Sequence, residues 1–157
     1  MKNSPIANIT FLQENRSPLL QNECDTAIRD LTTKSDFHLI HQDKPPYNID
    51  LDIQDNRLVM DICNPASEKR HSFILSMSPY RRLIQDYFMM IESYEHMRLT
   101  ATPEKLQTVD MARRGVHNEG ADLLIDRLND KIEMDHETAR CFFTLICSLG
   151  MKRGLIG

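Results

Sequence analysis

The chain has 157 residues, the size of one ordinary domain, and its 41% apolar and 27% charged residues exclude a disordered or low-complexity protein. Its 19 Lys and Arg against 23 Asp and Glu leave a charge of −4 spread along the chain, so no basic block offers non-specific attraction to nucleic acid. No apolar run suits a signal peptide or a membrane span, and Cys24, Cys63, Cys141 and Cys147 form neither C-x-x-C pairs nor zinc knuckles, which together indicate a cytoplasmic protein with reduced thiols.

In chain order, "ANITFL" (7–12) can form a short first strand. "NECDTAIRDLTT" follows as a helix, with Asn22 as its N-cap and Cys24, Ala27, Ile28 and Leu31 at helical spacing. The stretch from Lys34 to Tyr47 lacks periodicity and contains Pro45-Pro46, so it reads as a linker within the domain. Alternation then becomes strict. Ile49, Leu51 and Ile53 face one way and Asn48, Asp50, Asp52 and Gln54 the other. Asp55-Asn56 suits a tight hairpin turn, because both residues tolerate positive φ. Leu58, Met60 and Ile62 continue the pattern, "NPASEKR" makes a longer loop, and Phe73, Leu75 and Met77 complete a three-stranded antiparallel meander with one solvated face.

After residue 77 the period becomes helical. Ser78-Pro79 gives a cap followed by proline at the first helical position, and Tyr80, Leu83, Ile84, Tyr87, Phe88 and Ile91 form a wide apolar face. Thr102-Pro103 repeats the start signal. The following helix is expected to run unbroken from about Pro103 to Asn129, because Leu106, Val109, Val116, Gly120, Leu124 and Arg127 to Leu128 keep one phase across Gly115; the rival reading ends a helix at Gly115 and caps a second at Asn118. That continuity outweighs a cost of about 1 kcal/mol for each interior glycine. Asp135 begins a last helix with Ala139, Phe142, Phe143, Ile146 and Leu149 as its buried stripe. The expectation is an α+β fold: an antiparallel meander, with 7–12 as a candidate fourth strand, covered by three C-terminal helices and one N-terminal helix. One domain spans 1–157, with strand, helix and meander over 7–77, the helical part over 78–149 and a flexible tail over 150–157.

The densest polar stretch is "DMARRGVHNEG" (110–120). On a continuous helix Asp110 meets Arg114 and Arg113 meets His117, each four residues apart, so the plainest reading is a charge-paired surface. Two functional readings compete with it. In the first, Arg113, Arg114 and Asn118, with Arg81 and Arg82 at the start of the central helix, make a non-catalytic binding face for a protein or RNA partner, and a homodimer is compatible with it. In the second, Arg113 and Arg114 clamp an anionic substrate while His117 and Glu119 transfer protons. The first is favoured, because the chain shows no nucleophile arrangement, metal set or cofactor loop. Gly115 and Gly120 enclose four residues as a P-loop does, but Ala121-Asp122 replaces the required Lys and Ser/Thr. Arg113 and Arg114 also lie too close to His117 for the Arg-to-His spacing of RNA-cleaving helical domains. No G-x-S-x-G elbow occurs. Glu92 and His96, or His117 and Glu119, miss the Glu-x-x-His spacing of a di-iron bundle, so no metal and no cofactor are expected.

Three long blocks, "SPYRRLIQDYFMMIESY", "TVDMARRGVHNEGADLLIDRL" and "DHETARCFFTLIC", resemble those of the uncharacterised protein family number 0262 of alphaproteobacteria. The resemblance is strong over residues 47 to 149 and looser over the first strand and helix. The chain departs from the family pattern at Ala112, where a glycine is expected, and in its tail "GMKRGLIG". The resemblance implies a small soluble cytoplasmic protein and carries no mechanism.

Overall fold

The computed structural model describes residues 4–11, 20–40, 44–66 and 68–152. The order is β1 (Ile6–Phe11), α1 (Gln21–Lys34), β2 (Phe37–Leu39), β3 (Tyr47–Gln54), β4 (Arg57–Cys63), β5 (Lys69–Ser76), α2 (Arg81–Met97), α3 (Pro103–Leu128), β6 (Ile132–Met134) and α4 (His136–Lys152). It is an α+β fold. β3, β4 and β5 make the expected antiparallel meander, and Asp55 and Asn56 turn the hairpin with φ of 51° and 62°.

The first strand joins this sheet in parallel, with Ile9 opposite Ile49 and Phe11 opposite Leu51, giving the order β1-β3-β4-β5. A parallel neighbour needs a crossover, and α1 lies in the connection. The expected linker holds a strand of its own. Phe37–Leu39 pairs antiparallel with β6, Phe37 opposite Met134, and buries Phe37 and Leu39. A three-residue strand whose partner lies across the chain leaves no local periodicity to read.

The solvated face of the meander is wet only in part, because Asp52 and Asp61 are buried on it. Asp52 accepts hydrogen bonds from the Ile53 N–H at 2.8 Å and the Gln54 amide at 2.9 Å. Asp61 accepts from the Ser72 hydroxyl at 2.6 Å, so these carboxylates exchange water for fixed donors.

Helix starts also differ in detail. α1 begins at Gln21 with Leu20 at its N-cap, which places Asn22 inside the first turn. Ser78-Pro79-Tyr80 form a 3₁₀ turn without a side-chain cap, and the α-helix proper opens on Arg81. At α3 the Thr102 hydroxyl accepts from the Lys105 N–H as its Thr-Pro signature requires. Asp135 does the same for α4, accepting from the Thr138 N–H at 2.9 Å. Asp135→Ala is expected to cost about 1 kcal/mol in denaturant unfolding, with the slope unchanged. α4 continues through buried Gly150 to Lys152, so the helix takes in the first residues of the expected tail, and residues 153–157 lie outside the described ones.

α3 runs unbroken through Gly115. Its buried residues are Gly120, Ala121, Leu124 and Leu128, all in the second half. Ala121, Leu124 and Leu128 join Ile84, Tyr87 and Ile91 of α2, Phe142, Phe143 and Ile146 of α4, and the sheet residues Ile49, Leu51, Leu58 and Met60 in one core. At Gly120 a Cβ would stand 2.3 Å from the Phe143 ring, whereas at Gly115 it would meet nothing within 4 Å. Gly120 therefore sets how closely α3 and α4 approach, and that approach builds the site.

Candidate functional site in the cleft between α1, α3 and α4

One helical turn before Gly120, His117 faces the same neighbour. Its Nε2 lies 2.9 Å from the Arg140 carbonyl and 2.8 Å from the Thr144 hydroxyl, both on α4. A carbonyl can only accept, so Nε2 carries the proton and donates. The Tyr87 and Phe143 rings enclose the imidazole, with centroids at 5.4 Å and 5.9 Å. Burial first, and then the positive charge of Arg140, push its pKa down to about 4. His117 is therefore neutral at pH 7, and its anticipated meeting with Arg113 at the surface does not occur. The imidazole turns inward because α4 offers an acceptor there.

Arg113 instead holds Asp110 at 2.6 Å and reaches Glu23 of α1 at 3.8 Å. Arg114 takes the other Asp110 oxygen at 3.1 Å, the pair expected from their spacing. Arg140 bonds Glu137 at 3.0 Å, while its buried Nε–H has no partner among the described residues.

These groups surround a cleft of about 330 Å³. Glu23, Ala27 and Asp30 of α1 form one wall, Arg113, Arg114 and His117 of α3 another, and Glu137, Arg140, Cys141 and Thr144 of α4 the third, with Tyr87 between them. The volume suits a small ligand. Burial, then the charges of Asp30 and Glu137, raise the Cys141 thiol to about 11, so it is no nucleophile at neutral pH. Burial likewise raises the Tyr87 phenol above its ordinary range.

The other candidates fall elsewhere. Glu119 and Asn118 are exposed and do not line the cleft. Residues two apart on a helix point about 200° from each other, so Glu119 and His117 face opposite ways. Arg81 and Arg82 are exposed at the start of α2, and Arg82 pairs with Asp86 at 3.7 Å. Tyr87 packs on His117, whereas Tyr80 feels the charges of Arg127 and Asp126, so α2 runs antiparallel to α3. That places Arg81 and Arg82 toward the far end of α3 from Arg113 and Arg114. Among the described residues no group of three His, Cys, Asp or Glu side chains is arranged to hold a metal, and no helix is long and apolar enough to cross a membrane.

Arg140, Thr144, Glu23 and Tyr87 also line the cleft and carry no site signal of their own in the sequence. The available signal was the polar pair Arg140 and Thr144, four apart on a helix otherwise buried along Ala139, Phe142, Phe143 and Ile146.

Residues 6–152 match the profile described as "Uncharacterised protein family (UPF0262)". A UPF0262 protein of Phenylobacterium zucineum is 46% identical over 129 residues, covering 82% of this chain and 80% of its own length. A UPF0262 protein of Hyphomonas neptunium is 44% identical over 137 residues, covering 87% and 85%, and one of Brucella anthropi is 44% identical over 134 residues, covering 85% and 84%. No solved structure matches the chain. The profile match spans nearly all of the sequence, and the chain belongs to the UPF0262 family.

Proposed function

We propose that this protein is a non-catalytic binding module that takes the acidic group of a small ligand in the cleft between α1, α3 and α4. The observation that carries the reading is the convergence of Arg113, Arg114 and Arg140, from two helices, on one concavity of about 330 Å³. Guanidinium groups bind carboxylates and phosphates through paired, charge-assisted hydrogen bonds, and a partly enclosed cleft strengthens them. A catalytic role has less support. The His117 Nε2–H is already committed to α4, its pKa is far below neutrality, and Glu119 stands outside the cleft. A broad docking face for a protein, an RNA or a second copy also has less support, because exposed Arg81 and Arg82 open α2 and do not line the concavity that gathers Arg113, Arg114 and Arg140. The widely spaced cysteines favour the cytoplasm as the place of action.

Calorimetric titration of the full chain with butanoate and with inorganic phosphate tests this. Saturable binding is expected, weakened about tenfold in Arg113→Ala and in Arg140→Ala and unchanged in Arg82→Ala. Equal binding by all four proteins would reject the cleft as the site.

A further inference from the structure

The cleft is not a simple anion hole. Among the described residues its lining carries Arg113, Arg114 and Arg140 against Glu23, Asp30 and Glu137, three charges of each sign, with His117 neutral. Asp110, gripped by both Arg113 and Arg114, adds one more negative charge beside them. A plain anion seated on the arginines would compete with carboxylates already paired there, and each displaced carboxylate would be left without its partner. A ligand that brings its own positive charge offsets part of that cost, since its cation can pair with the Glu137 carboxylate that Arg140 releases.

The fold lets that cation reach the acids. A second cavity of about 190 Å³ adjoins the first, and the two share Asp30, Glu137 and Cys141 as common wall. The arginines line the first cavity and not the second. Among the described residues the second is lined by Asp30, Asp135 and Glu137 against one cation, Lys34, which makes that lining net negative. Lys34 lies 3.8 Å from Asp30, and its side chain is largely exposed. Along α1, Glu23 at the arginine end and Asp30 at the shared wall are seven residues apart, or about 10 Å at the rise of an α-helix.

Building on the reading of the cleft as an acid-binding site, we infer that its ligand is a short bipolar molecule without net charge, with a carboxylate for Arg113, Arg114 and Arg140 and an ammonium for Asp30 and Glu137. A carboxylate fits better than a phosphate, because one ammonium cancels a single negative charge and leaves the balance of the cleft undisturbed.

Titration of the full chain with 4-aminobutanoate, butanoate and butylamine separates the outcomes. The inference expects 4-aminobutanoate to bind about tenfold more tightly than butanoate, with butylamine weaker still. In Asp30→Asn that preference is expected to fall to near unity while butanoate binding persists. Butanoate and 4-aminobutanoate binding equally well to the wild-type protein would overturn the bipolar ligand and leave the acid-binding reading standing. Butylamine matching 4-aminobutanoate would overturn it too, since the arginines would then contribute nothing. Binding of none of the three would remove the acid-binding reading and this inference with it.

Discussion

Between pH 7 and pH 4 the folded protein is expected to lose about 3 kcal/mol of stability through His117 alone. An unfolded histidine takes a proton near pH 6.5, but the buried imidazole resists until about pH 4. Within that window the unfolded chain binds more protons than the folded one, so stability falls as pH falls and levels off below the folded pKa. The cause is physical confinement: the ring lies between Tyr87 and Phe143, its Nε2–H is spent on the Arg140 carbonyl, and the Arg140 guanidinium repels the charge that a second proton would bring. Carboxylates also titrate in this range, so the informative quantity is a difference. Urea unfolding at a series of pH values should show a steeper acid loss in the wild-type protein than in His117→Gln, which can still donate an N–H but cannot take up a proton there. Parallel curves for the two proteins would show that His117 is not held neutral by the fold.

The two glycines of α3 are expected to respond to alanine with opposite signs. At Gly115 the added methyl meets nothing, so Gly115→Ala should stabilise the protein by roughly 0.5–1 kcal/mol through helix propensity and reduced freedom of the unfolded chain. At Gly120 three atoms of the Phe143 ring lie 2.3–2.5 Å from the position of the new Cβ, and that ring is fully buried. Because a fully buried ring must shift to admit the methyl, Gly120→Ala should cost about 1–3 kcal/mol, despite its gain in propensity. Denaturant midpoints of the two variants measure this directly. Adding Phe143→Leu to Gly120→Ala should recover part of the loss. The same displacement would pull Arg140 and Thr144 away from His117, so the fold and the cleft depend on the same contact.

What could be read in the sequence is what neighbouring residues encode. The meander, its Asp55-Asn56 turn and the continuity of α3 follow from alternation, turn chemistry and helical phase, each confined to a short stretch. β2 and β6 escaped because each is three residues long and defined only by its distant partner. The parallel placement of β1 is likewise a property of the crossover and not of its own residues. The site divides the same way. Arg113 and Arg114 stood out because they are adjacent and charged, whereas Arg140 and Thr144 lie on another helix whose apolar stripe dominates its pattern. His117 looked like a surface partner for Arg113, and only the approach of α4 at Gly120 turns it into a buried donor. On a continuous helix, residues 117 and 119 face nearly opposite ways, so the order of the sequence alone sets the His117 and Glu119 side chains apart.

In the proposed function, the arginines of the cleft between α1, α3 and α4 receive an acidic group. Nuclear magnetic resonance of the guanidinium Nε–H signals during titration with butanoate tests it most directly. The signals of Arg113 and Arg140 should shift together and saturate, the latter because its Nε–H has no partner among the described residues, while those of Arg81 and Arg82 stay in place. Arginine signals that all move alike, or a cleft pair that does not move, would contradict the claim.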